Sequence, residues 1–91
     1  MSAPARQPRR VPASNPRPDR VRERRLQFGE AVRDRRLAAG LSQEALAERC
    51  GFDRKSISRV ETGAFSPSLD RVFRLADALE VSVDELVAKV D

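Results

Sequence analysis

The stretch Ser42-Gln43-Glu44-Ala45-Leu46-Ala47-Glu48-Arg49-Cys50-Gly51-Phe52-Asp53-Arg54-Lys55-Ser56-Ile57-Ser58-Arg59-Val60-Glu61-Thr62 decides the fold. Ser42 is a good N-cap, and Glu44 follows in the first turn, where negative charge suits the helix dipole. The short helix it opens runs through Cys50 with Ala45, Leu46 and Cys50 as its apolar side, and Gly51 breaks it. Asp53 is a second natural N-cap, for a helix from Arg54 to Thr62 whose apolar positions Ile57 and Val60 lie three apart. The two helices cross steeply, so the first needs a small residue at the contact, which is Ala47. Four positions on, the turn needs a residue tolerant of positive φ, and Gly51 provides it. Phe52, Ile57 and Val60 then close a core against Leu46 and Cys50.

Working outward, the pattern is helical from about Asp19, with Val21, Phe28, Val32 and Leu37 set among arginines and Gly40 as terminator. Two starts are open: Asp19 caps a long helix, or Arg24 begins a shorter one. Gly63 ends the helix that begins at Arg54, and Ser66-Pro67-Ser68 starts another. Its apolar stripe is predicted to be Leu69, Val72, Phe73, Ala76 and Leu79. Ser82-Val83-Asp84-Glu85 has the form of a capping box and opens a last helix with Val83, Leu86, Val87 and Val90. Five helices and no strand predict a compact all-α domain over residues 19–91. Before it, residues 1–18 hold five of the six prolines and almost no large apolar residue. Such a segment has too little to bury to offset its chain entropy, so a disordered Arg/Pro-rich arm is expected.

The charge is unevenly placed. The chain carries 18 Lys plus Arg against 14 Asp plus Glu, formally +4. Residues 1–25 hold eight arginines against two acids, whereas residues 26–91 hold ten bases against twelve acids. The basic pI therefore belongs to the N-terminal end. Within the domain, residues 26–63 are net +1 and residues 64–91 net −3, so a face for a polyanion has to be built from the first half. Other classes fall away. No apolar run approaches the roughly 20 residues of a membrane span. The basic N-terminus lacks the apolar segment of a secretory signal. With one cysteine and no histidine, neither an intrachain disulfide nor a structural zinc site is expected. No nucleophile–base pair and no phosphate-cradling glycine loop is present, so neither an enzyme nor a cofactor is expected, and the chain reads as cytoplasmic.

Two short helices around Gly51 are the sequence form of a helix-turn-helix, with its core at residues 42–62. Together with Phe28-Gly29-Glu30, Arg36, Gly40-Leu41, Gly63, Pro67-Ser68-Leu69, Ala78-Leu79 and Val81-Ser82-Val83-Asp84-Glu85-Leu86, this stretch resembles the Cro/cI-type (XRE) family of bacterial and phage transcription regulators. The resemblance covers about residues 26–90 and leaves the arm outside. It implies a five-helix, lambda-repressor-like domain that binds specific double-stranded DNA, commonly as a homodimer on a pseudo-palindromic operator, with Arg54–Thr62 as recognition helix. Arg54, Lys55, Ser58 and Arg59 lie opposite Ile57 and Val60, and are the expected base contacts, since arginine can bond guanine O6 and N7 bidentately. Gln43 matches a family phosphate contact. Ser42 and the N-terminus of its helix, with Thr62 and the loop after it, are expected to join it. Arg36 and Glu61 match positions that form a largely buried ion pair in the family.

The remaining features have blander readings. Cys50 is expected to be a small core residue. Some of Val83, Leu86, Val87 and Val90 are left over for a dimer patch. The arm's arginines fit either an adjacent minor groove or a merely nonspecific basic tail. Against the DNA-binding regulator stands a protein-interaction module on the same scaffold, such as an antitoxin; a steep salt dependence of DNA affinity separates the two.

Overall fold

The computed structural model describes residues 17–91. Five helices follow one another: α1 (Pro18–Ala38), α2 (Gln43–Cys50), α3 (Arg54–Glu61), α4 (Leu69–Leu79) and α5 (Val83–Val87). The arm expected over residues 1–18 lies outside the described residues, apart from its last two. Those two begin α1: Arg17 is its N-cap and Pro18 its first residue, where the missing N–H goes unused in any helix. The longer of the two expected starts is therefore the one adopted, and Asp19 sits in the first turn instead of capping. No helix among the described residues is long and apolar enough to cross a membrane.

The other four helices begin alike. Ser42, Asp53, Ser68 and Ser82 each accept a hydrogen bond from the backbone N–H three residues on. At α5 the box is complete, because the Glu85 carboxylate also accepts from the Ser82 N–H at 2.8 Å. Between α2 and α3, Gly51 takes φ 74°, and the Phe52 N–H returns to the Ala47 carbonyl at 2.9 Å. That pair of features closes the turn in three residues.

The core is formed where α3 packs on α1 and α2, with α4 on α2 and α5 closing against α1 and α4. Val32, Leu46, Ile57, Val60, Leu75 and Leu86 are its fully buried side chains, with Ala47, Cys50 and Ala76 between them. Two expected stripes are displaced. On α1, Leu37 is 51% exposed and its neighbour Arg36 is buried instead. On α4, Leu69 and Phe73 are 68% and 51% exposed, whereas Leu75 is fully buried. The true inward face of α4 is Val72, Leu75, Ala76 and Leu79, which has the same helical spacing as the predicted stripe, rotated by part of a turn. The last helix ends at Val87, short of the expected Val90; on it Leu86 is buried, Val83 partly so and Val87 exposed, while Val90 packs partly buried in the segment that follows. Beyond it, Asp91 is held against α1 by Arg24 and Gln27.

Candidate nucleic-acid interface

The recognition element is short and firmly seated. Eight residues at 1.5 Å rise make α3 about 12 Å long. Ile57 and Val60 anchor it in the core, and Arg54, Lys55 and Arg59 stand exposed on its outer side with Ser58 half-buried beside them. Its N-terminus is capped by Asp53, whose side chain accepts from the Ser56 N–H at 2.8 Å. Hydrogen bonds from the Ser56 side chain and then its backbone hold the Asp53 carboxyl below the usual range. The cap is thus a carboxylate placed where the helix dipole favours it.

At its C-terminal end α3 lies against α1 more closely than side chains would allow. Gly29 faces that end: a Cβ there would overlap the Val60 carbonyl and lie 2.6 Å from the Glu61 oxygen. Sequence reasoning gave Gly29 no role, although a glycine in mid-helix, which costs roughly 1 kcal/mol against alanine, is itself a signal of close approach. One turn earlier, Arg25 Nε donates to the Gly63 carbonyl at 3.1 Å.

Two turns later on α1, Arg36 and Glu61 are both buried, at 8% and 7% exposure. Arg36 Nε donates to Glu61 Oε2 at 2.6 Å, and Nη2 to Oε1 at 3.0 Å, a bidentate pair. Nη1 donates to the Leu41 carbonyl at 2.9 Å, which ties the same guanidinium to the segment before α2. The Glu61 hydrogen bonds raise the Arg36 pKa above its ordinary value, against the opposing effect of burial. Gln43 joins this cluster: its Nε2 donates to Glu61 Oε1 at 3.0 Å. Sequence reasoning placed Gln43 and Glu61 in separate roles; the structure brings them together. The first residue of α2 is therefore fixed against the last residue of α3.

The other expected contacts are less alike. Ser42 is exposed, and its Oγ accepts from the Ala45 N–H, which leaves the hydroxyl proton able to donate. Thr62 is exposed too, but its hydroxyl donates inward to the Ser58 carbonyl at 3.0 Å. Cys50 is buried with its Sγ near the Arg74 carbonyl, and desolvation pushes its thiol up, which makes it a packing residue and a poor nucleophile. Together the geometry offers a rigid cationic helix face beside a capped helix N-terminus, an arrangement suited to a polyanion with readable edges.

Comparison with known proteins agrees. A family model described as Helix-turn-helix (HTH_3) matches residues 32–86. Control protein C.BamHI of Bacillus amyloliquefaciens is 41% identical over 64 residues, 69% of this chain and 79% of that protein. The crystal structure of the restriction-modification controller protein C.AhdI from Aeromonas hydrophila superposes with TM-score 0.67 at 42% identity, covering 68% of this chain and 94% of that one. The P22 c2 repressor, solved in complex with a synthetic operator, superposes with TM-score 0.64 at 33% identity over 70% and 96% of the two chains. The match thus runs from the middle of α1 through α5, over the same helices that build the cationic face, and the chain belongs to the HTH_3 helix-turn-helix family of Cro/cI-type transcriptional regulators, which bind specific double-stranded DNA and are not enzymes.

Proposed function

We propose that the protein regulates transcription by laying α3 in the major groove of an operator, reading bases with Arg54, Lys55 and Arg59. The observation that carries this is the seating of α3. Three exposed cations project from a helix whose opposite side is fully buried and whose end is in backbone contact with α1 at Gly29. A side chain reads a base only if its own backbone does not yield, because bidentate hydrogen bonds lose strength steeply with angle. The P22 c2 repressor, similar in fold and solved on a synthetic operator, supports the same use of the scaffold. Ser58, half-buried, is a lesser reader. Ser42 and Gln43 at the start of α2 meet the DNA backbone, and Gln43 does so with one amide proton already committed to Glu61. Thr62 contributes only by turning its hydroxyl outward.

The same reading makes the DNA-bound form a symmetric dimer on a pseudo-palindrome, acting at the nucleoid in the cytoplasm. Half-sites then lie about one helical turn apart, roughly 10 bp. Val87 on α5 is exposed for such an interface, and Leu69 and Phe73 on α4 add larger apolar surface than the last helix offers alone. The test is selection of bound duplexes from a random pool, followed by titration of the selected and a scrambled duplex at two salt concentrations. Arg54→Ala or Arg59→Ala is expected to lose roughly 1–3 kcal/mol on the selected duplex and to relax preference at one base position. A selected pool with no consensus, or variants that weaken both duplexes equally, overturns the reading.

A further inference from the structure

Two phenylalanines bracket α3. Phe52 lies two positions before its first residue and Phe65 four after its last. Both are half-buried, and one side chain of α4 lies over both: the Arg71 guanidinium carbon is 4.8 Å from the Phe52 ring centroid and 5.8 Å from that of Phe65. The attraction is that of a guanidinium for the negative face of an aromatic ring. Among the described residues, Arg71 has neither an acidic partner nor a side-chain hydrogen bond to the protein, so the rings are what hold it. One turn further along α4, Arg74 Nη1 donates to the Cys50 carbonyl at 3.4 Å. Two arginines of α4 thus run along the turn before α3, and the first reaches across to the loop beyond α3. The helix bodies leave this link to side chains, since α3 packs chiefly on α1 and α2.

We propose that Arg71 is a positioning residue for base recognition: stacked on the two rings that flank α3, it sets the tilt at which α3 meets the DNA, and it touches no base. The inference rests on the reading of α3 as the base-contacting helix. Bidentate contacts from Arg54 and Arg59 tolerate little tilt, whereas phosphate attraction is nearly indifferent to it. Loss of the clip therefore reduces discrimination more than it reduces binding to DNA in general.

The experiment uses the full chain, the duplex it selects from a random pool and a scrambled duplex of equal length. R71M keeps a long apolar stem without the cation, and R71K keeps the cation without the flat face. Both are expected to lower the selected-to-scrambled affinity ratio by about tenfold, with the salt slope of the parent chain retained. F65L, which removes one ring and leaves Arg71 on Phe52, is expected to lower the ratio less, and to add little to R71M because the two act through one contact. It also carries the test if R71M fails to fold: an unchanged ratio in F65L then overturns the proposal. A wild-type ratio in both Arg71 variants overturns it too. So does a different pattern, in which R71M weakens both duplexes equally with a salt slope shallower by about 0.9 and R71K behaves as wild type; Arg71 is then a phosphate contact. R54A run in parallel separates the two readings. If R54A lowers the ratio and the Arg71 variants do not, only the positioning role falls; if R54A leaves it unchanged, the basis of both is removed.

Discussion

Glu61 receives hydrogen bonds from two helices at once, two from Arg36 of α1 and one from Gln43 of α2. The residue is only 7% exposed, so its carboxylate relies on those donors in place of water. A buried pair need not add net stability, but removing one partner strands the other. Glu61→Ala is therefore expected to cost roughly 3–5 kcal/mol in urea denaturation. A loss below about 0.5 kcal/mol, the size of an ordinary surface change, would place the pair at the surface. Gly29 works by what it lacks. Alanine there gains helix propensity of about 1 kcal/mol but pushes a methyl into the Val60 and Glu61 carbonyls, and overpacking of that kind costs roughly 1–3 kcal/mol. Gly29→Ala should lower the denaturation midpoint and weaken binding to the selected duplex; a raised midpoint would mean that α1 and α3 have room for a methyl group between them. Arg36 is legible in the sequence only through family resemblance. Nothing in the local pattern says that position 36 turns inward while Leu37 faces solvent.

The four side-chain caps are the most readable feature of the helices, because a Ser or Asp hydroxyl or carboxylate meets a backbone N–H within its own first turn. Three of them stand out as single residues in the sequence, and the fourth belongs to the group Ser66-Pro67-Ser68, in which Ser68 is the cap. The far end of α4 is different. Glu80 holds φ 59°, the left-handed region, where a side chain with a Cβ is strained by roughly 1–2 kcal/mol. Part of that returns on substitution by glycine, less the greater freedom glycine has when unfolded. Glu80→Gly is therefore expected to stabilise the fold by about 0.5–1 kcal/mol, seen as a higher thermal midpoint with unchanged DNA affinity. A lower midpoint would mean that the Glu80 side chain contributes more than its backbone strain removes. The inward face of α4 is ambiguous in the sequence for a related reason. Leu69, Val72, Phe73, Leu75, Ala76 and Leu79 span about 160° of the helix circumference, wider than the face that is buried, and the choice among them belongs to α2, α1 and α5.

The charge of the whole chain is split between a basic N-terminal end and an acidic C-terminal segment, residues 64–91, and α3 lies in the intervening part that is nearly neutral. Residues 1–16 carry Arg6, Arg9 and Arg10. These add long-range attraction to any nucleic acid. Deleting residues 1–16 is expected to weaken selected and scrambled duplexes by similar factors, with the salt slope shallower by roughly 0.9 for each phosphate that the shortened chain leaves unneutralised. If deletion instead collapses the ratio between the two duplexes, the N-terminal segment reads sequence itself. Helix number, the capped starts of α2 to α5, the turn at Gly51 and the cationic side of α3 all follow from neighbours in the chain. Each rests on interactions within a few residues, on caps, φ preferences and a period of 3.6, so the order of residues suffices to specify them. Which faces meet does not follow in the same way. The pairing of Arg36 with Glu61, the seat of Gly29 on the Val60 and Glu61 carbonyls, the capture of Gln43 by Glu61 and the Arg71 clip all join residues at least six and up to 32 apart in the chain. Such contacts have no local signature, because they exist only once five helices have packed at particular distances and angles.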